Sequence, residues 1–304
     1  MREPRQDAIQ GTLLRPVLPH EWAFNAFLAL MILRLILRAT SAAPVAGPFL
    51  LDALIGVALI VWCNRKPTPW RWRIRALFYM TAMGLAYYSL PSAIHLLGVA
   101  PADSLLAAWD VALLGGPATA LFAAWQTPLL TDAMVIAYLF FFYYLLFGPI
   151  YYAVHDLPRL RSCCVGLFTL YALGFVGYTV LPAAGPHLLP EATMPQGGWL
   201  THEFVPWINA GSNRIDVFPS IHVAVSLYLL IFDAWYYRRR FWLLVLPCVA
   251  LWVSTVYLGY HYVVDLVGAL AIAMVGLGVA WMYERSSLAR ETDQLAAVHV
   301  QTSS

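Results

Sequence analysis

Charge is scarce in this chain. Only 11% of its 304 residues are Asp, Glu, Lys or Arg, against about 25% in an ordinary soluble domain. That shortage excludes a soluble globular fold. Lysine is rarest, with Lys66 the single one among 18 basic residues. Cysteine is limited to Cys63, Cys163, Cys164 and Cys248. None stands in a CxxC or Cys/His zinc spacing, which excludes a disulfide framework and a cysteine-based zinc site. All four fall in or at the ends of apolar runs, where a thiol packs as a small apolar group. There is no internal repeat, no low-complexity tract and no inverted-repeat signal of the kind transporters carry. A cleaved leader is not expected. The first apolar run starts late, near Trp22, and Arg34 and Arg38 interrupt it.

What fills the chain is apolar. Hydrophobic residues make up 61%, in runs near the length of about 20 residues that crosses a bilayer as helix. The runs are continuous rather than alternating, so an all-α polytopic bundle is expected rather than a closed barrel. Eight segments stand out: 22–38, 46–63, 76–98, 131–153, 162–181, 218–236, 241–258 and 261–283. Six of them form the core bundle, with one or two extra N-terminal segments. The first, with its two arginines, spans the membrane or lies in the interface as an amphipathic anchor. Residues 99–130 contain "DSLLAAWDVALLGG", an amphipathic pattern broken by glycines. An interfacial or re-entrant helix is expected there. The tails, 1–21 and 284–304, are polar, and the last dozen residues are expected to be disordered.

The arginines orient the bundle. Arg65, Lys66, Arg71, Arg73 and Arg75 crowd one connection, Arg159 and Arg161 another, and Arg238, Arg239 and Arg240 a third. Arg2, Arg5 and Arg15 precede the first segment, and Arg285 and Arg290 follow the last. Alternating spans put all of these on one face, which is cytoplasmic by the positive-inside rule. Both termini are then cytoplasmic, and the loop 182–217 faces a periplasm or lumen. Arg34 and Arg38 are exceptions at the outer end of segment one.

Two clusters lie at that outer face. "FPSIH" (218–222) ends the loop, with Ser220 as a natural N-cap. It leaves His222 in the first turn of a helix, beside free backbone amides that favour an anion. "STVYLGYHYVVDLVGA" (254–269) straddles the turn between segments seven and eight. There His261 and Asp265, four apart, share a helix face. A carboxylate one turn below an imidazole holds Nδ1–H and leaves Nε2 free as base or nucleophile. Both histidines open helices running inward from the same face, so they share one membrane depth.

"FPSIH" and S-T-x5-H-x3-D resemble the second and third signature motifs of the type 2 phosphatidic acid phosphatase superfamily. The nearest branch is that of the inositol phosphorylceramide synthases, with this chain similar to its bacterial members, and the resemblance covers residues 76–283. It implies that His261 attacks phosphorus to form a phosphohistidine, that Asp265 orients it, and that His222 protonates the leaving oxygen. No metal or other cofactor and no nucleic-acid partner is expected. The implied organisation is one transmembrane catalytic domain, 22–283, between two cytoplasmic tails. Its active-site loop is 182–217 and its motif helices are 218–236 and 261–283. An Ala-, Leu- and Arg-rich composition suits a bacterial inner membrane.

Two departures sharpen the reading. The family's phosphatases begin the third motif with Ser-Arg, whereas Ser254 is followed here by Thr255. Their KxxxxxxRP motif is missing, and "LPAAGPH" (181–187) stands in its place. Arg214 is the one cation in the loop 182–217. Candidates for holding substrate phosphate are therefore Ser220, Arg214, His187, Thr255, Ser254 and Tyr257. Each has a plainer role too: Ser220 as a cap, Arg214 as a solvated charge, and His187 as an ordinary loop residue. Ser254 and Thr255 serve equally as helix-interface hydroxyls, and Tyr257, Tyr260 and Tyr262 as an interfacial belt. Asp110, Asp132 and Asp233 read as interfacial or capping charges. Asp52, inside segment two, is harder to dismiss.

So few cations suit a singly charged phosphodiester better than a doubly charged monoester. The expected reaction moves a phosphorylated headgroup, such as phosphoinositol, from a phospholipid donor to a lipid hydroxyl acceptor. A lipid phosphate phosphatase of the same superfamily, acting on a lipid or polyprenyl phosphate monoester, is the alternative. From other classes, a zinc hydrolase with His222, His261 and Asp265 as ligands, or a transporter with a proton-relay histidine, also compete.

Overall fold

The computed structural model describes residues 16–38, 43–189, 194–286 and 288–290. Arg2, Arg5, Arg15 and the outer parts of both tails lie outside them. Ten α-helices are present among the described residues: α1 (Pro19–Arg38), α2 (Ala43–Arg65), α3 (Pro69–Leu97), α4 (Asp103–Leu114), α5 (Pro128–His155), α6 (Leu157–Val180), α7 (Trp199–Gly211), α8 (Ile221–Tyr236), α9 (Arg238–Tyr257) and α10 (Val263–Arg285). The protein is an all-α polytopic bundle. Six helices (α1, α2, α5, α6, α9 and α10) are long and apolar enough to cross a membrane. That includes α1, despite Arg34 and Arg38. α8 has 16 residues, short for a span of about 20.

The bundle is built around α6. Every residue from Leu160 to Ala172 is buried, as expected of a helix that is apolar on all faces. Its main neighbours are α10, α1 and α3. Small residues permit the closest crossing: a Cβ added to Gly166 would come within 2.5 Å of the Gly276 carbonyl oxygen on α10.

Apart from Arg34, Arg38 and Arg214, the described arginines gather at one end, and several bind carbonyls and carboxylates there. Arg75 grips Glu21 through two bonds of 2.6 Å, and both side chains are buried. Arg73 Nε donates to the Ala153 carbonyl at 2.6 Å, and Arg159 reaches Glu284 at 2.9 Å. Asp233 is no interfacial charge. It is buried, accepts from Tyr144 Oη at 2.8 Å and from Tyr152 Oη, and pairs with Arg240 at 3.2 Å. These bonds explain why α3 starts at Pro69, well before the apolar run at 76. Thr68 caps it, accepting from Arg71 N at 3.3 Å, and the arginines in its first turns are satisfied by neighbours. Asp52 is buried in α2, and its Oδ2 has no hydrogen-bond partner.

Residues 99–130 form α4 and a 3-10 helix, Ala118–Trp125, bent by 63°. A broken or re-entrant element is therefore present, at the end opposite the arginines. The loop 182–217 holds one helix that the sequence reading lacked, α7. Its N-terminus is capped from another helix: Asp132 accepts from Gly198 N and Thr201 N at 2.9 Å each. A cap supplied from α5 leaves no local sequence signal.

The Glu21–Arg75 pair ties α1 to α3. Arg75→Met leaves a buried, uncompensated Glu21 and should lower the unfolding free energy by about 3–5 kcal/mol. Adding Glu21→Gln should recover much of that loss. Equilibrium unfolding in mixed micelles measures both, and a loss below about 1 kcal/mol would show that the pair contributes little.

Candidate active site

The site is assembled where α8 and α10 begin. Ser220 is the N-cap of α8 and accepts from Val223 N at 3.4 Å. Its own N–H donates to the Asp265 carbonyl at 3.2 Å, which ties the two helix starts together. Pro219 lies against α6, where a Cβ on Gly177 would meet its Cδ at 2.3 Å. Only glycine admits that approach. On the other side, the Phe218 ring and Pro219 lie 3.0 Å from where a Cβ on Gly268 of α10 would stand.

The turn between α9 and α10 carries His261. Gly259, at φ 73°, lets the chain reverse. His261 N then donates to the Thr255 carbonyl at 3.0 Å. Asp110 of α4 accepts from Val263 N and Val264 N, at 3.0 and 2.9 Å, and so caps α10. Asp103, two turns earlier on the same face of α4, accepts from Ala184 N and Gly185 N and from Tyr262 Oη. Asp110 and Asp132 thus act as caps, and Asp103 joins them.

The side chains form one hydrogen-bonded row. Asp265 Oδ2 lies 3.2 Å from His261 Nδ1, His261 Nε2 lies 3.3 Å from His222 Nδ1, and His222 Nε2 lies 2.9 Å from Tyr138 Oη. With Asp265 ionised, one proton order satisfies all three contacts. Asp265 Oδ2 already accepts from Tyr262 N at 2.7 Å, so the facing Nδ1 of His261 carries the proton. Burial pushes His261, in the turn outside the spans, down to about 4, with the Asp216 charge opposing. Its neutral ring accepts at Nε2, so His222 Nδ1 donates. His222 Nε2 then accepts from the Tyr138 hydroxyl.

The row lies at one end of a cavity of about 620 Å³. His187, His222, His261 and Asp216 line it beside a predominantly aromatic and apolar wall. No lysine or arginine is among the lining residues. His187 N donates to the Gly259 carbonyl at 2.8 Å. Its ring lies edge-on to Tyr260, its Nδ1 is buried without a partner, and burial lowers its pKa to about 4.

Other candidates stand apart. Ser254 Oγ and Thr255 Oγ1 donate to carbonyls of their own helix, Leu251 and Trp252, at 2.7 and 2.8 Å. Both are buried away from the cavity lining, in the helix-interface role. Tyr257 is buried, with its hydroxyl on Thr131 Oγ1 at 3.0 Å, so it is neither a belt residue nor a cavity residue. Of the three tyrosines only Tyr260 lines the cavity. Arg214 is exposed and is not among the lining residues. A zinc site on His222, His261 and Asp265 has the wrong geometry, because Asp265 and His222 occupy opposite nitrogens of the His261 ring. Tyr138, Tyr87 and Asp216 were not foreseen; each is brought in by a helix or loop remote in sequence.

Residues 104–279 match the family model of the PAP2 superfamily. No curated protein matches the chain, and no solved structure does. The matched stretch runs from the first turn of α4 almost to the end of α10 and contains the whole Tyr138–His222–His261–Asp265 row. It covers more than half of the chain, which therefore belongs to the PAP2 superfamily, that of the type 2 phosphatidic acid phosphatases.

Proposed function

We propose that the protein transfers a phosphorylated headgroup from a phospholipid donor to a lipid hydroxyl acceptor, through a phosphohistidine at His261. Membership of the superfamily supports phosphatase or phosphotransferase chemistry on lipids in general. One observation favours transfer from a diester: the row of histidines faces an apolar cavity without a lysine or arginine. A dianionic monoester would find no lysine or arginine on that wall, whereas a diester carries one negative charge and an apolar tail.

In the first step His261 Nε2 attacks phosphorus. The bond to the diglyceride oxygen breaks, and protonated His222 gives that oxygen its proton. In the second step the acceptor hydroxyl attacks the phosphohistidine, His222 takes the hydroxyl proton, and the N–P bond breaks. Phosphorus has to sit between the two rings, so substrate must part the 3.3 Å pair. The incoming anion favours a protonated His222. Tyr138 Oη accepts from Nε2–H in that state and donates to Nε2 in the neutral state. By the positive-inside rule, the arginine-rich end supports a reading in which the site faces outward from a bacterial inner membrane and both termini are cytoplasmic.

Purified protein given labelled phosphatidylinositol and a lipid alcohol should form the transferred product. His261→Ala should lower turnover by roughly 10⁴–10⁶-fold. A chiral phosphate donor should give net retention, and inversion would sink the covalent route. Release of phosphate from a lipid monoester alone, unaffected by added alcohol, would assign a phosphatase instead.

Tyr138→Phe should lower kcat about tenfold, a part of the 10²–10⁴ a general acid supplies. It should also move the basic limb of the pH profile to lower pH, because imidazolium at His222 loses its acceptor. A purely structural Tyr138 would leave the shape of the profile unchanged. The acid limb of kcat/KM should lie near pH 4, where buried His261 titrates, and not near 6.5. A limb at 6.5 would mean the ring is solvated in the working enzyme.

A further inference from the structure

The cavity has a second polar point within electrostatic reach of His261. Asp216 lines it together with Tyr87 and Ser212. Asp216 Oδ2 accepts from Tyr87 Oη at 2.6 Å, and Oδ1 accepts from Ser212 Oγ at a long 3.4 Å. The residue is held firmly. Its backbone bridges to Ala183, and Asn213 Nδ2 donates to the Tyr87 carbonyl at 3.1 Å. No lysine or arginine stands with it among the lining residues. Its negative charge reaches His261, where it favours the protonated ring.

A carboxylate is a strange neighbour for a phosphate. It repels the anion, and no lysine or arginine lines the cavity to screen the two. An ionised carboxylate offers about four lone-pair positions, of which Tyr87 and Ser212 use two. Those left over face a cavity whose remaining wall is mostly aromatic and apolar. A half-buried charge with unused acceptor positions is costly unless something donates to it. The Tyr87 oxygen, which already accepts from Asn213 N at 3.3 Å, keeps one lone pair beside it.

We propose that Asp216 and Tyr87 recognise a hydrogen-bond-donating headgroup, either polyol hydroxyls or an ammonium, attached to the phosphate that His261 attacks. The proposal rests on the transferase reading and narrows its donor. Phosphate meets the histidines, its substituent donates to Asp216, and the chain enters the aromatic part of the cavity. A bare phosphate monoester supplies no such donor and meets only repulsion at Asp216.

The test uses the purified full chain in detergent with three short-chain probes: phosphatidylinositol, phosphatidylethanolamine and phosphatidic acid. Affinity is measured by calorimetry and turnover separately, for wild type, Asp216→Asn and Tyr87→Phe. Wild type should bind one of the two diesters about tenfold or more tighter than phosphatidic acid, the scale of one hydrogen bond to a charged group. Asp216→Asn should lose that margin, with the kinetic loss falling on KM more than on kcat. Tyr87→Phe should shift selectivity in the same direction by less. Preference for phosphatidylinositol identifies a polyol, and preference for phosphatidylethanolamine an ammonium. An equal loss for all three probes, or no change, overturns the proposal. Turnover that persists while Asp216→Asn leaves selectivity intact keeps the transferase and removes the subsite. Asp216-dependent binding without turnover does the reverse. Unchanged thermal midpoints show that both variants fold.

Discussion

The approach of Pro219 to Gly177 sets the geometry at the histidine end. α8 starts where "FPSIH" is pinched between α6 and α10, with no side chain on Gly177 or Gly268 to hold it off. The Ser220 N–H then reaches the Asp265 carbonyl, so the start of α8 is bonded to the first turn of α10. His222 and His261 meet because two backbones meet first.

Carboxylates complete the frame. Asp103, Asp110 and Asp132 each accept backbone N–H bonds from a segment far away in sequence. Bonds to an ionised acceptor are worth about 1.5–3 kcal/mol each, more than neutral ones. They hold the loop at 184–185 and the start of α7 from outside, and at the start of α10 they add to Asp265, which accepts from Tyr262 N. The opposite end is organised by arginines instead. The two ends of the bundle are thus tied by opposite signs of charge, and the apolar middle needs neither.

Much of this was legible in sequence. Apolar run length found the eight longer apolar helices except for their ends, and arginine placement sorted the two ends. The four-residue spacing brought His261 and Asp265 together, and helix direction put His222 at the same depth. Periodicity carries such signals because they are local or repeat along one helix. Tyr138, Asp216 and α7 were not legible. Tyr138 is one aromatic in an aromatic helix, distinguished only by facing His222. Asp216 sits in a loop whose fold depends on Tyr87, and α7 depends on Asp132. Ser254, Thr255 and Tyr257 show the opposite failure, since polar residues in a motif point into helix contacts rather than the cavity.

The histidine pair is closed at rest, with the nitrogen that would attack phosphorus already bonded to its partner. Opening it requires work, and a small phosphate ester brings little energy to do that work. A lipid brings more, because its chain gains apolar contact along the aromatic wall as its phosphate wedges the rings apart. On the proposed route, binding energy far from phosphorus is thereby converted into access to His261 Nε2. Chain length is then sensed in how fast the enzyme turns over rather than in how tightly it binds.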